Sequence, residues 1–555
     1  MSQIEEIILM PDQDEVQTAC LDSAHSGDIH GAWGTIKAND VAARKTWLKR
    51  LMTLLVIMGP GLITMVGDND AGGVQTYLQA GQQYGTSLLW TLLILIPILI
   101  VNQEMVVRLG AVSGVGHARL IFERFGKLWG AFAVSDLFIL NFLTIVTEFI
   151  GFATALQYFG LSPYLSVPLG VLGLIAITLT GSFRRWESVM WVCCLTSLLM
   201  IPLAFIPHGS IGPVVTGTLL PTVRGGLNST ALLTIVAIIG TTVTPWQLFF
   251  QQSNVVDKRI SARWLKNEQA DTIIGAFLTN IEAAGLVIGA AFAFAATKFD
   301  NGFTDVGTTA HQFGAAGHPI MGVLLMIILL NASIIGACAV SLSTSYAFGD
   351  TFKTDHSLHR TFGEAKMFYC SYAALLIAAG SIVMLSPPQV LAILTLMVQA
   401  LAGTLLPSAT LILLLLCNDR AVLGPLVNRP WFNAVAAVIV GLLITISVIL
   451  TLTTIIPFTN QQTLLLAAVL GGILVVSLIG AGIFALVQSR HQGPDAELAA
   501  LYKMDKLAWQ MPPLAELPRP AWSLARKLGM FTLRGYLIIA VILLAYKFIQ
   551  LAFPG

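Results

Sequence analysis

The chain is a succession of apolar stretches, each long enough to cross about 30 Å of hydrocarbon, and that leaves it very few folds. The stretches centre near Val56, Leu95, Leu140, Leu174, Leu198, Val236, Ile288, Leu325, Leu376, Leu401, Val440 and Leu474, with a last one near Ile542, about thirteen in all. Within a bilayer every backbone N–H and C=O needs an internal partner, so only helices or a closed barrel can span it. No stretch alternates as a barrel strand would, so all are expected to be helices. Composition agrees: 56% of residues are hydrophobic and 11% charged, against about 25% charged in soluble domains. The net charge of +1 gives no basis for nucleic-acid binding. Six cysteines, with Cys193 beside Cys194 in an apolar run, show neither zinc spacing nor a disulfide framework and read as free core thiols.

The loops set the orientation. Arg44, Lys45, Lys49 and Arg50 precede the first span, and every second loop after it is basic, as at Arg119, Arg124 and Lys127, at Arg184 and Arg185, or at Lys258, Arg259, Arg263 and Lys266. The intervening loops hold almost nothing beyond Arg224 and Lys298. The positive-inside rule therefore puts the N-terminus in the cytoplasm, and an odd number of spans puts the C-terminus outside; an inner membrane is the expected location. The first 40 residues are polar and acidic, with no apolar h-region, and read as a flexible cytosolic tail. The expected organisation is a tail over 1–45, five spans over 46–210, five more over 228–418, two over 430–490, and a Pro-rich cytosolic linker with an accessory helix over 491–555.

Two spans are interrupted alike. Span one reads Gly59-Pro60-Gly61, then Gly67-Asp68-Asn69-Asp70-Ala71-Gly72-Gly73; span six reads Gly240-Thr241-Thr242-Val243-Thr244-Pro245-Trp246-Gln247. Gly and Pro clusters unwind a helix, and unwound backbone at membrane depth is tolerated only where it lines a cavity. The two spans hold the same rank in successive five-helix sets, which marks a transporter binding site at the repeat interface. Asp68 and Asp70 fall in the first break, where an ionisable side chain is costly and points to function. Exposed carbonyls and the hydroxyls of Thr241 and Thr244 would complete an all-oxygen site.

These segments resemble the signature segments of the Nramp metal transporters, an Asp-Pro-Gly-Asn sequence in helix one and a Met-Pro-His sequence in helix six. The likeness runs over roughly residues 50–490 and includes Arg108-Leu109-Gly110, Glu148-Phe149-Ile150-Gly151, Asp271, Asn280, Gln399 eight residues before Pro407, and Asp419-Arg420. It implies an all-α integral membrane protein with a LeuT-type inverted repeat of five plus five helices, further C-terminal helices, and alternating access. The family's metal-binding Asp falls on Asp70; its Asn falls on Gly73, its Ala on Thr241 and its Met on Thr244. Its two histidines of helix six become Trp246 and Gln251, and the acid three residues before Glu148 becomes Ile145.

A thioether suits soft metals, so Thr244 leaves a site for hard cations. Gly73 removes a side chain and is expected to widen the pocket. Mg²⁺, which keeps part of its water and binds through one or two carboxylates, fits such a pocket. The pattern resembles the Nramp-related magnesium transporters, which carry Mg²⁺ and also Mn²⁺. The expected metal residues are Asp70, Asp68, Gly73, Thr241, Thr244, Gln399 and Trp246, with Glu148 and Glu282 on a possible ion access route. Asp271 and Asn280 are expected to brace spans. His is the side chain that titrates near neutrality, so its loss from helix six points to transport without proton coupling. No resident cofactor and no obligate protein partner are expected; the cation is cargo and the bilayer is the surroundings. The alternatives are a proton-coupled Mn²⁺/Fe²⁺ transporter of ordinary Nramp type, a Na⁺-coupled amino-acid transporter of the same architecture, whose substrate carboxylate Asp68 and Asp70 would repel, and an intramembrane enzyme, for which no motif is present.

Overall fold

The computed structural model describes residues 22–518, apart from 41, 457, 493–495 and 508, and scattered positions between 531 and 549. Span one is built from three helices: α1 (Trp47–Ile57), α2 (Pro60–Val66) and α3 (Ala71–Tyr84). Pro60 starts α2 because its fixed φ and missing N–H suit a first helical turn, and α1 meets α2 at a bend of 57°. There follow α4 (Leu89–Ser113), the short α5 (His117–Phe125), α6 (Lys127–Tyr158), α7 (Pro163–Thr178) and α8 (Phe183–Ser197). After a surface helix α9 (Ile211–Leu219), span six divides into α10 (Ser229–Thr242) and α11 (Pro245–Asp257). Then come α12 (Leu265–Phe294), the loop helix α13 (Val306–Ala315), α14 (Pro319–Phe352), α15 (Lys366–Leu385) and α16 (Pro388–Cys417). α17 (Pro430–Ile455) and α18 (Asn460–Gln492) complete the described spans.

All twelve expected spans up to Leu474 are helical. Among the described residues ten helical spans are long and apolar enough to cross a membrane, α10 and α11 counting as one; α1 with α2 forms an eleventh as a bent pair, and α7, at 16 residues, is a shorter apolar helix. The thirteenth expected span, near Ile542, falls where only scattered positions are described. The most apolar window of α18 is 0% buried within the chain, so lipid is its solvent. The interior divides into two apolar cores. One, toward the basic loops, gathers Leu62, Val66, Trp186, Trp246, Phe250 and Tyr346. The other, toward the opposite face, gathers Met65, Val74, Tyr77, Leu92, Phe294 and Met326. The break of span one lies where these cores meet, so its polar residues sit between two apolar layers.

One expectation fails here. The N-terminal stretch read as a flexible tail is packed from Asp22 onward: a 3₁₀ turn (Ser23–His25) leads into a hairpin of β1 (Ile29–Gly31) and β2 (Gly34–Ile36), paired antiparallel, and Asp22, Ile29 and Ile36 are buried. Residues 1–21 lie outside the described residues.

Candidate functional site

In span one the chain turns where α2 ends. The Asp68 N–H bonds Met65 O at 3.2 Å and the Asn69 N–H bonds Val66 O at 3.1 Å, three-residue steps in place of the helical four. Asp70 then caps α3, its carboxylate accepting the Gly73 N–H at 2.6 Å, a capping bond typical of Asp at this position. In span six Val243 is extended (φ −131°, ψ 93°), and Thr244 caps α11. Gln247 closes that cap by accepting the Thr244 N–H at 3.1 Å, and Pro245 takes the first helical position. The Met-Pro of the family pattern thus becomes a Thr-Pro cap.

The breaks face each other. Thr241 Oγ1 donates to Asp68 O at 3.4 Å, and Thr244 Oγ1 lies 3.4 Å from Asp68 Oδ1. Across from them Glu148 of α6 accepts the Ala71 N–H at 3.2 Å, and Glu148 and Asp70 both lie against Gly336 of α14. Asp68, Asp70 and Glu148 are each at most 1% exposed, and Asp68 Oδ2 and Glu148 Oε1 have no hydrogen-bond partner. None of the ion pairs among the described residues reaches any of the three. Buried carboxyls need a cation, protons or hydrogen bonds to offset lost hydration. The C-terminal ends of α2 and α10 also point at the breaks, and their partial negative charge favours a cation. Among the described residues no three His, Cys, Asp or Glu side chains form a metal cage, so carbonyl and hydroxyl oxygens would have to complete a shell around Asp68 and Asp70.

The other expected residues fall around this point with differing roles. Gln399 of α16 lies on Gly72, where any side chain would collide with its amide, and its Nε2 is buried without a partner. Trp246 is fully buried; its ring packs against Gly67 and, at 5.8 Å between centroids, Phe250, closing the break on the basic-loop side. Gly73 does not open a void: a Cβ there would meet Asp68 O at 2.8 Å and Thr241 Oγ1 at 2.9 Å. The expected widening is absent in this conformation, because Thr241 and the turned backbone take up the space. Glu282 of α12 accepts from Asn69 Nδ2 at 2.9 Å and from Ser197 Oγ at 2.7 Å, holding the break from behind. Asp271 accepts the N–H groups of Gly59, Gly61 and Leu62 and so anchors the start of α2. Asn280, expected to brace spans, bonds Ala276 O within its own helix at 2.8 Å.

A cavity of about 970 Å³ leads to the site from the face opposite the basic loops. Asp305, Thr308 and His311 line its mouth, Gln157 and Tyr158 its wall, and Ala71, Gln75 and Thr147 its floor. Neither Glu148 nor Glu282 is among its lining residues, although Glu148 stands just behind Thr147. Gly151 lets α6 press on Ala71, so the floor is thin above Asp70. On the other side the path is shut. Lys258, read from the sequence as a loop charge, is fully buried at the end of α11 and pairs with Glu187 at 2.5 Å. Its Nζ also donates to Ile57 O at 2.7 Å and Met58 O at 2.8 Å. Gly59, between them, has φ +151° and leaves no room for a Cβ beside Glu187, so only glycine serves there. Asn69, Lys258, Glu187 and the cavity's lining escaped the sequence reading; an ionisable residue adjoining a span was the one available signal, and a loop position explained it equally well.

Two helices broken at the same rank, facing each other across buried acids at the end of a one-sided cavity, define a membrane transporter fold of the LeuT type. The chain belongs to the Nramp family: the natural resistance-associated macrophage protein-like domain matches residues 61–453. It is 31% identical to the divalent metal cation transporter MntH of Ralstonia nicotianae over 402 residues, 69% of this chain and 87% of that one. It is 25% identical to the MntH of Latilactobacillus sakei over 441 residues, 73% and 90% of the two chains. Its fold superposes on the crystal structure of the Eremococcus coleocola manganese transporter with a TM-score of 0.60 at 19% identity, covering 82% of this chain and 98% of that one.

Proposed function

We propose that this chain carries divalent cations across the membrane through the paired breaks, with Mg²⁺ as the principal cargo and Mn²⁺ as a second, and without obligatory proton exchange. The observation that carries the reading is the charge and hardness of the site. Asp68 and Asp70 are buried without Lys or Arg, and the groups facing them are hydroxyls, carbonyls, an amide and the Glu148 carboxyl, with no thioether or imidazole bonded to them among the described residues. A doubly charged hard ion supplies what those carboxylates lack. The relatives named as divalent metal cation and manganese transporters support the cation class. Because Gly73 is packed, room for retained water lies on the cavity side, over Ala71 and Gln75. We place the basic loops in the cytoplasm of an inner membrane, with the N-terminus. The membrane potential then favours entry by about 4.6 kcal/mol per divalent ion at 100 mV.

A second reading, a proton-coupled Mn²⁺ transporter, draws on one contact: Glu148 stands against Asp70 with an oxygen unpartnered. Uptake of Mg²⁺, Mn²⁺ and Ca²⁺ into proteoliposomes with a trapped pH-sensitive dye separates the two. Mg²⁺ uptake without acidification supports our reading; Mn²⁺ uptake alone, with acidification, replaces it with the second.

A further inference from the structure

The packed N-terminal segment has no part in cation binding, yet it grips the elements that close the pathway. Its first anchor is Asp22, whose carboxylate accepts from the Arg360 guanidinium at 2.6 and 2.9 Å and from the His356 N–H at 3.0 Å, in the loop between α14 and α15. The second is Arg259, just past α11, which donates to Ala24 O at 2.8 Å and Asp28 O at 2.9 Å. The third is the hairpin. Its Gly31 lies against Val56 O near the end of α1, with no room for a side chain, and the Ala32 N–H donates to Glu187 at 2.5 Å. That Glu187 is the partner of Lys258, whose ammonium holds the last carbonyls of α1. The Trp33 ring meets Trp191 of α8 edge-on at 5.5 Å.

Fifteen residues thus tie α1, α8, α11 and the α14–α15 loop together on the closed side. The α2 half of span one hangs from this knot: Asp271 holds its amides and Lys258 the carbonyls just before it. For Asp70 to meet solvent on the basic side, α2 must leave Asp271 and Trp246, and α1 must move with it. The hairpin lies across that movement and buries Ile29 and Ile36 against Val56, Ile57, Val255 and Trp264.

We propose that residues 22–36 are a latch on the basic-side gate: docked, they hold α1–α2 closed, and they must release for the site to open to that side. The proposal rests on the transport reading above for its consequence and on the hairpin contacts for its mechanism. The gate's opening rate is then set by a segment outside the five-plus-five core, and modification or binding at the segment would regulate it.

The test uses the full chain with its six native cysteines replaced. Trp33→Cys and Trp191→Cys are joined by a short thiol cross-linker, and Mn²⁺ uptake into proteoliposomes is measured before linking, after it, and after release with a reductant-cleavable linker. The latch predicts a loss of roughly tenfold or more on linking, recovered on cleavage; complete linking with unchanged uptake overturns it. A second arm does not depend on transport. Leu62→Cys, buried on α2, is labelled with a maleimide in detergent, with and without Asp22→Asn and Arg259→Gln. Weakening the latch is expected to speed labelling by roughly tenfold, about 1.4 kcal/mol. Equal rates in correctly folded proteins overturn the latch. If the unmodified chain moves no metal, the transport reading falls and this labelling still decides the latch.

Discussion

In the proposed site, Thr244 is the side chain expected to set which ions the breaks hold. Its hydroxyl lies 3.4 Å from Asp68 Oδ1, and among the described residues no sulfur or imidazole is hydrogen-bonded to either side chain. Thr244→Met is expected to raise the Mn²⁺-to-Mg²⁺ uptake ratio, by roughly tenfold for about 1.4 kcal/mol of ligand preference; a ratio unmoved by the thioether would take Thr244 out of the site. Asp22 allows a pH prediction outside the membrane. Burial alone would raise its carboxyl, but the Arg360 guanidinium and the Ala24 and His356 N–H groups outweigh this and bring it to about 2. A carboxyl depressed below its unfolded value, about 3.9, stabilises fully above that value and loses its contribution as the pH falls toward 2. The wild type should therefore melt above Asp22→Asn throughout pH 5 to pH 8, and the advantage should fade only as the pH drops below about 4; equal melting temperatures across pH 5 to pH 8 would contradict the ion pair. The acids of the break were legible because charge inside an apolar run is costly wherever it lies. Asn69 and Lys258 were not, since their partners, Glu282 and Glu187, are separated from them by 213 and 71 residues.

Among the elements, α10 and α16 cross so closely at Gly240 and Gly403 that a Cβ on Gly240 would strike Gln399 O and the Gly403 N. That crossing brings Gln399 to the first break. Gly240→Ala is expected to cost about 1–3 kcal/mol by overpacking and to lower uptake together with the melting temperature. An alanine variant as stable as the parent would show that the helices are not held at this distance. Span identity was readable from hydropathy, and the two breaks from Gly and Pro placed inside it. The hairpin was not readable: strands of three residues each carry no periodic signal, and polar flanks made the stretch look solvated. The width of the site was misjudged for a related reason. Removing a side chain at Gly73 predicts space only if nothing moves in, and the opposing break supplied Thr241.

For the whole molecule, access is one-sided. The cavity reaches Ala71 from the face opposite the basic loops, while Trp246, the Lys258–Glu187 pair and the hairpin close the other face. The alternation of basic and bare loops matches this division: Arg259 and Arg360 hold the hairpin on one face, and Arg224 pairs with Asp300 at 2.7 Å on the other. Loop charge could reveal two faces but not which was open, because the open state depends on packing across helices distant in sequence. Asp70 joins these levels, capping α3, standing under the cavity floor and meeting Glu148. The most direct measurement is divalent-cation uptake by Asp70→Ala in proteoliposomes, beside the wild type, with folding checked by gel filtration and thermal melting. Uptake abolished in a folded protein is the predicted result; a folded Asp70→Ala variant carrying Mg²⁺ or Mn²⁺ at the wild-type rate would contradict the assignment of the site to the paired breaks.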